Sequence, residues 1–228
     1  AVKVFHEGAP KTLALYEALT HARVEETGLP VPKIHEVSVI DNKWTIQMDL
    51  IEGVTLSEMI QKNPNEKDRY VELLLQLQLN VHQQRVPMLN KLEDKLHMQI
   101  QNLNCIDDVR RYELLTRLDS IKKHNKLCHG NFSPDNIIID QKNKTFIVDW
   151  VAATQGNASA DAGRTYLLLS LRFPELAEQY MNLFCQKTQT SKKYVQEWLP
   201  IVAAAQLAEG REEEKELLMR WIDVVDYE

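Results

Sequence analysis

The chain has 228 residues, 44% of them hydrophobic and 26% charged, which supplies a core for one large domain or two small lobes and excludes global disorder. Its 27 Lys and Arg stand against 33 Asp and Glu, a formal net charge of −6, which argues against a general nucleic-acid binder, because that function needs a basic face to displace phosphate counterions. Glycine numbers only 7 where average usage of about 7% would give roughly 16, so a barrel or sandwich dense in tight turns is disfavoured and a helical majority is expected.

In chain order, Val2, Val4 and Phe5 around Lys3 read as a short strand, ended by the Glu7-Gly8-Ala9-Pro10 turn. A β-branched run at residue 1 without an initiator Met reads as the middle of a strand, so further residues are expected upstream. Over 12–27, Leu13, Tyr16, Leu19 and Ala22 recur at helical spacing, and Gly28 stops the helix. Leu29-Pro30-Val31-Pro32 is an extended connector, because a residue before proline is pushed out of the α region. Residues 34–40 and 44–51 flank Asp41-Asn42-Lys43 as a β-hairpin, closed by Glu52-Gly53. Thr55 then starts a helix, and 3.6-residue periods follow over 66–85, 91–102 and 108–123. A β island at 137–140 and 145–148 interrupts them, and helices resume near 160–172, 174–186, 191–209 and 211–225.

The expected class is therefore α+β, with a small strand-and-helix lobe over 1–52 and a large helical lobe over 53–228. No apolar run approaches the ~18 residues of a membrane span, and the opening residues carry no signal-like pattern. Cys105, Cys128 and Cys185 are odd in number and far apart, which suggests a reducing cytoplasm rather than a disulfide framework.

Chemistry concentrates in residues 127–140, Leu-Cys-His-Gly-Asn-Phe-Ser-Pro-Asp-Asn-Ile-Ile-Ile-Asp, and in Phe146-Ile-Val-Asp-Trp150. If the hairpin turns symmetrically about 141–144, Asp140 faces Thr145, Ile138 faces Ile147 and Asn136 faces Asp149. Directly opposed residues hold their Cβ atoms about 4.5–5.5 Å apart. A carboxamide and a carboxylate would then converge at the open end, the beginning of a Mg²⁺ site, since Mg²⁺ takes oxygen ligands and usually one or two carboxylates plus substrate phosphates. His129 and Asn131 lie one short loop upstream. Asn136 or Asp149 alone reads as a strand cap; the matched pair reads as functional.

His129-Gly-Asn-Phe-Ser-Pro-Asp-Asn136 followed by Ile147-Val-Asp-Trp150 closely resembles the aminoglycoside phosphotransferase and choline kinase family, whose pattern is H-G-D-x-x-x-x-N and then I-D-[FW]. The resemblance spans nearly the whole chain and implies a protein-kinase-like, bilobal fold. It implies ATP and Mg²⁺ as cofactors, and γ-phosphate transfer to a hydroxyl of a small aminoglycoside- or choline-like acceptor. By the same resemblance Lys3 holds the ATP α/β-phosphates and Glu17 is its ion-pair partner, with Glu25 and Glu26 as alternatives on the same helix. Met48-Asp-Leu-Ile-Glu-Gly53 resembles the hinge, where backbone groups of Asp49 and Ile51 meet adenine. Asn136 and Asp149 would bind Mg²⁺, Asp161 would brace the loop, His129 would orient it by hydrogen bonds, and Asp135 would be a turn residue.

Two departures stand out. Asn131 occupies the place of the family's aspartate, and an amide is no useful base near pH 7, although it can hold a hydroxyl. Impaired activity, not necessarily none, is expected, whether the chain is a degenerate kinase, a kinase with another base or an engineered trap. The second is the glycine-rich loop, which does not occur from Ala1 onward and is expected upstream of it. Two other classes compete with the enzyme: a nucleotide-binding pseudoenzyme and a helical interaction module without nucleotide. For the acceptor, Glu212, Glu213, Glu214, Glu216, Asp223, Asp226 and Glu228 stand against Arg211, Lys215 and Arg220. They read first as a solvated helix face with pairs such as Glu216–Arg220 and second as a polycation site. Tyr194, Trp198 and Trp221 read first as core and second as a cation–π cage for a quaternary ammonium.

Overall fold

A computed structural model describes residues 1–223. The chain opens with β1 (Val2–Val4), α1 (Lys11–Glu25), β2 (Ile34–Ile40) and β3 (Lys43–Met48), and the strands form an antiparallel sheet in the order β1-β3-β2. Asp41 and Asn42 make the β2–β3 turn with φ of 47° and 61°. Both lie in the left-handed region that Asp and Asn tolerate and that a two-residue hairpin loop requires. Helix α1 packs on this sheet, and Phe5, Ala9, Ala14, Ala18 and Ile46 make a small core of their own.

The larger part follows with β4 (Gly53–Thr55), α2 (Leu56–Lys62), α3 (Lys67–Gln83), α4 (Leu92–Gln101), α5 (Asp108–Ser120) and β5 (Lys126–Cys128). It continues with β6 (Ile137–Asp140), β7 (Thr145–Ile147), β8 (Thr154–Gly156), α6 (Ala158–Arg172), α7 (Pro174–Thr188), α8 (Lys192–Gln196), α9 (Leu199–Leu207) and α10 (Lys215–Ile222). Two apolar clusters hold it. One joins Leu74, Leu75, Ile137, Ile147, Trp150 and Tyr180, and the other joins Leu96, Ile100, Trp198 and Ile201. Among the described residues, no helix is long and apolar enough to cross a membrane.

The expected hairpin at 137–148 forms, but its register differs by one residue. Ile137 pairs with Ile147, Ile138 with Phe146 and Ile139 with Thr145. The cause is the loop, which has three residues rather than four. Asn143 takes φ 60°, the Asp140 N–H donates to the Lys144 carbonyl at 2.9 Å, and Asp140 Oδ1 accepts the N–H groups of Lys142 and Lys144 at 2.8 Å each. Three-residue loops with a left-handed third residue are a standard hairpin closure. Asn136 therefore lies across from Val148, whose N–H reaches the Asn136 carbonyl at 3.0 Å, and the expected direct opposition of Asn136 and Asp149 does not occur.

Other differences have equally local causes. The pairs β4–β6 and β5–β8 involve three-residue strands, too short to show alternation. The helix expected over 191–209 is two helices, because Pro200 lacks an N–H and its ring clashes with a continuing turn. The helix expected over 211–225 begins as a 3-10 turn at Glu212–Glu214 before α10. Residues 224–225 of that expectation, and the acids Asp226 and Glu228, lie outside the described residues.

Candidate active site

Buried Leu127 and Cys128 on β5 deliver the chain into the loop 129–136. His129 is fully buried between the rings of Phe132 and Trp150, at centroid distances of 5.6 and 4.4 Å. Its Nε2 donates to the Val148 carbonyl at 3.0 Å and its Nδ1 accepts the Asn131 N–H at 3.2 Å. A carbonyl only accepts and an N–H only donates, so the neutral tautomer with its proton on Nε2 is the one that satisfies both. Burial holds the imidazole pKa below its usual value, against the nearby Asp161 charge. Both ring nitrogens are thus engaged in tying the loop to the end of β7.

Gly130 takes φ +79°, and a Cβ there would stand 2.6 Å from the Ala152 carbonyl oxygen. Its N–H donates to Asp161 Oδ1 at 2.7 Å. Gly130→Ala is expected to lose at least ~2 kcal/mol, from the left-handed backbone and the clash together, read as a lower urea midpoint.

Asp161, in the first turn of α6, is buried. Its Oδ2 accepts from His82 Nε2 at 2.8 Å and Gln78 Nε2 at 3.1 Å. Burial alone would raise its pKa, but these donors and the Gly130 N–H overcome that and hold it at about 2. Gln78 also donates to Thr165 Oγ1 at 2.9 Å and accepts from the Tyr180 hydroxyl. Sequence reasoning missed Gln78 and His82. The signal was present, since both fall on the apolar stripe of α3 with Leu74, Leu75 and Val81. It missed Lys95 as well, whose Nζ donates to the Ala152 carbonyl at 3.2 Å. Burial, aided by Arg164, lowers the Lys95 pKa.

Asp149 caps the 3-10 turn Trp150–Ala152 with φ 65° and ψ 61°. That left-handed residue breaks the alternation of β7, and the Asp149 carboxylate meets the loop: Oδ2 accepts from Asn131 Nδ2 at 3.1 Å. Asn136 Nδ2 donates to the Asn131 carbonyl at 2.8 Å. Asn131, Asn136 and Asp149 therefore converge, through Asn131 rather than by cross-strand opposition. The amide orientations follow from these partners. Asn136 must offer its nitrogen and keeps Oδ1; Asn131 must do the same toward the carboxylate and also keeps Oδ1. An amide oxygen beside one carboxylate is a donor set that fits Mg²⁺ completed by phosphates. Among the described residues no group of three or more His, Cys, Asp or Glu is placed to hold a metal alone.

Lys3 Nζ lies 2.5 Å from Glu17 Oε1, with Glu17 buried and the Lys3 side chain 42% exposed. Glu25 instead accepts the Ile34 N–H at 2.8 Å, and Glu26 is exposed, so the partner of Lys3 is Glu17. At the connector, Met48 exchanges backbone hydrogen bonds with Ala1. The Asp49 carboxylate accepts the Lys33 N–H at 3.0 Å and His35 Nε2 at 2.7 Å, bonds that hold its pKa below the usual carboxylate value. The Asp49 carbonyl and Ile51 N–H take no hydrogen-bond partner among the described residues. Leu50, Ile51 and Glu52 border a cavity of about 280 Å³ shared with Gln141, Lys142 and Phe146. A larger cavity, about 420 Å³, opens against α5 on residues remote from this cluster.

Trp198 is buried and Trp221 lies 5.4 Å from Tyr166, centroid to centroid, with the rings tilted by 53°, while the Tyr194 hydroxyl accepts from Asn157 Nδ2, so the three aromatics sit in and on the core. Of the tail acids, Glu212, Glu214 and Glu216 pair locally with Lys215, Arg211 and Arg220, while Asp223 reaches Arg110 on α5 at 2.9 Å.

A family model described as "Phosphotransferase enzyme family" matches residues 1–198, which include every residue of this cluster. The chain belongs to that family. Among solved structures this phosphotransferase-family chain is similar to apo aminoglycoside phosphotransferase APH(4)-Ia, a thermostable mutant, with TM-score 0.68, 13% identity, and coverage of 97% of this chain and 87% of that one. A ternary complex of that enzyme with ADP and hygromycin B gives TM-score 0.67, 12% identity, and 90% and 79% coverage. Choline kinase LicA from Streptococcus pneumoniae gives 0.67, 15% identity, and 97% and 85% coverage. At such identities the likeness shows the fold, and it is the kinase-like α+β fold. No curated protein matches the sequence.

Proposed function

We propose that this family member transfers the γ-phosphate of ATP, with Mg²⁺, to a hydroxyl of a small molecule bound at Asn131. The observation that carries the reading is the convergence of Asn131, Asn136 and Asp149 on one loop end. It is supported by the family match and by the ADP and hygromycin B held by a neighbour of the same fold. Residues 1–52 and 53–228 form the two lobes, with the nucleotide between them. The Asp49 carbonyl and Ile51 N–H, beside Met48, meet the adenine edge, Lys3 positions the phosphates, and Glu17 holds Lys3.

Asn136 Oδ1 and Asp149 hold Mg²⁺, which when bound neutralises charge on the phosphate oxygens. His129, Gly130 and Asp161 fix the loop, and Asn131 Oδ1 accepts the acceptor hydroxyl. In the transfer the hydroxyl oxygen bonds the γ-phosphorus while the bond to the β,γ-bridging oxygen breaks. ADP leaves with that electron pair. The proton goes to an oxygen of the transferred phosphoryl group, because an amide takes none. With a loose transition state, positioning supplies most of the acceleration, and the missing base costs ~10²–10⁴-fold.

One observation, Asn131 itself, favours a second reading as a nucleotide-binding pseudoenzyme. A screen of small-molecule alcohols with Mg-ATP, using this chain and Asn131→Asp, separates the two. The kinase reading expects product from both, with turnover higher by at least ~10²-fold in the aspartate variant. Equal rates would remove Asn131 from the base position, and no product from either protein would favour the pseudoenzyme. The aspartate also places a carboxylate where the 3.1 Å contact to Asp149 now stands. Like charges at that distance repel, so Asn131→Asp is expected to melt lower without Mg²⁺ and to recover with Mg-ATP.

A further inference from the structure

A cavity of about 210 Å³ opens beside Asn131, between the loop 131–136, the end of α6 and the turn before α10. Besides Asn131 and Asn136, its polar wall is Ser133, Asp135, Arg172, Arg211 and Glu214. Two arginines and two acids cancel, so a polycation gains no net attraction there. The hydrogen-bonding inventory is not balanced. Glu214 has both oxygens committed, Oε1 to Arg211 at 3.1 Å and Oε2 to Gln206, and its side chain is only 13% exposed. Asp135 Oδ2 is committed to Arg172, which leaves Oδ1 as the one carboxylate oxygen of the wall without a partner among the described residues.

Each arginine, by contrast, meets its acid through Nη1 alone, although a guanidinium carries five N–H donors. Among the described residues, Nε and Nη2 of both are uncommitted, and both side chains are more than half exposed. The free capacity of the wall is thus mostly cationic N–H donors. Among the described residues no aromatic cage offsets it: Phe173 is the only aromatic on the lining, Trp198 belongs to the core, and Tyr194 and Trp221 pack against that core.

The geometry points to an acceptor that carries an anionic group, a carboxylate or a phosphate, together with the hydroxyl presented to Asn131. Arg172 and Arg211 hold the anion through their free guanidinium edges, the planar fork that suits either group. This rests on the reading of Asn131 as the seat of the hydroxyl, and it departs from the aminoglycoside- or choline-like acceptor expected from the sequence. The volume suits a small metabolite better than an oligosaccharide.

The test is ligand-observed NMR titration of the full chain, with and without Mg-AMP-PNP, using 4-hydroxybutyrate, glycerol 3-phosphate, 1,4-butanediol and choline as probes. One of the two anionic probes is expected to bind at least ~10-fold more tightly than the diol and choline, and which one it is assigns carboxylate or phosphate. Arg172→Gln and Arg211→Gln are each expected to weaken that probe by ~10-fold. Asp135→Asn, which frees Arg172, is expected to tighten it, and Arg69→Gln, which removes the exposed pair with Glu66 on another face, is expected to leave it unchanged. Choline or the diol binding as tightly as the anions, no binding of either anion, or indifference to both arginine variants would overturn the proposal. Failure of Mg-AMP-PNP to bind while the anion preference persists would instead sink the phosphotransfer reading and leave an anion pocket without an acceptor role.

Discussion

Asp161→Ala is expected to cost about 3–5 kcal/mol of stability, the range for removing one partner from a buried charged network. Three donors lose their acceptor at once: the Gly130 N–H, His82 Nε2 and Gln78 Nε2. Asp161→Asn keeps the volume and one acceptor oxygen but turns an NH₂ toward a donor, so an intermediate loss is expected. The effect reaches the candidate site because Gly130 immediately precedes Asn131. A pH signature accompanies it. The Asp161 pKa is about 2 in the folded chain against an ordinary 3.8, so the folded state favours the charged form. Its contribution, of order 2 kcal/mol, is fully present above pH ~4 and is lost as pH falls through about 2. Urea unfolding at stepwise lower pH checks both statements, and the Asp161 variants are expected to lack this part of the acid dependence.

Asp149→Asn is expected to lower phosphoryl transfer by ~10³-fold or more while leaving the melting temperature of the ligand-free chain nearly unchanged. Asparagine tolerates the left-handed backbone of Asp149 and still offers an oxygen to Asn131 Nδ2, so the local geometry is kept. What disappears is the one carboxylate of the proposed Mg²⁺ donor set, and a metal ion's stabilisation of developing charge is worth several kcal/mol. Alanine at 149 would confuse the result, because it adds the cost of a left-handed backbone to the loss of the ligand. Steady-state transfer rates, with the melting curve as control, decide the matter.

Much of this arrangement could be read from the residues. The Asp41-Asn42 turn, the helix ended at Gly28 and the loop from His129 to Asn136 each rest on local chemistry that does not depend on what packs against it. The pairing of Lys3 with Glu17 was one of three choices on a single helix, and only the packing of α1 on β3 selects it. The 137–147 register was legible in kind but not in phase, because it depends on whether the loop closes over three or four residues. That choice is made by Asn143 adopting a left-handed conformation and by Asp140 Oδ1 accepting two N–H groups. Asp149 then reaches the loop through its own left-handed backbone, which no alternation pattern encodes. Gln78 and His82 look like interruptions of an amphipathic stripe until Asp161, some eighty residues later, supplies their acceptor. Arg172 and Arg211 come to one wall only through the return of α9 and the turn after it.

The central claim is that Asn136 and Asp149, set by Asn131, hold a divalent cation on a nucleotide. Differential scanning fluorimetry with AMP-PNP, in Mg²⁺ and in EDTA, tests it most directly. At about 100 times the dissociation constant the ligand contributes about 2.7 kcal/mol, which for a chain of this size is a rise of roughly 5–10 °C. The account predicts that rise for the wild-type chain in Mg²⁺, and its loss both in EDTA and in Asp149→Asn. A rise of equal size in all three conditions would place the nucleotide elsewhere and contradict the account, and no rise in any of them would leave the scaffold as a helical interaction module.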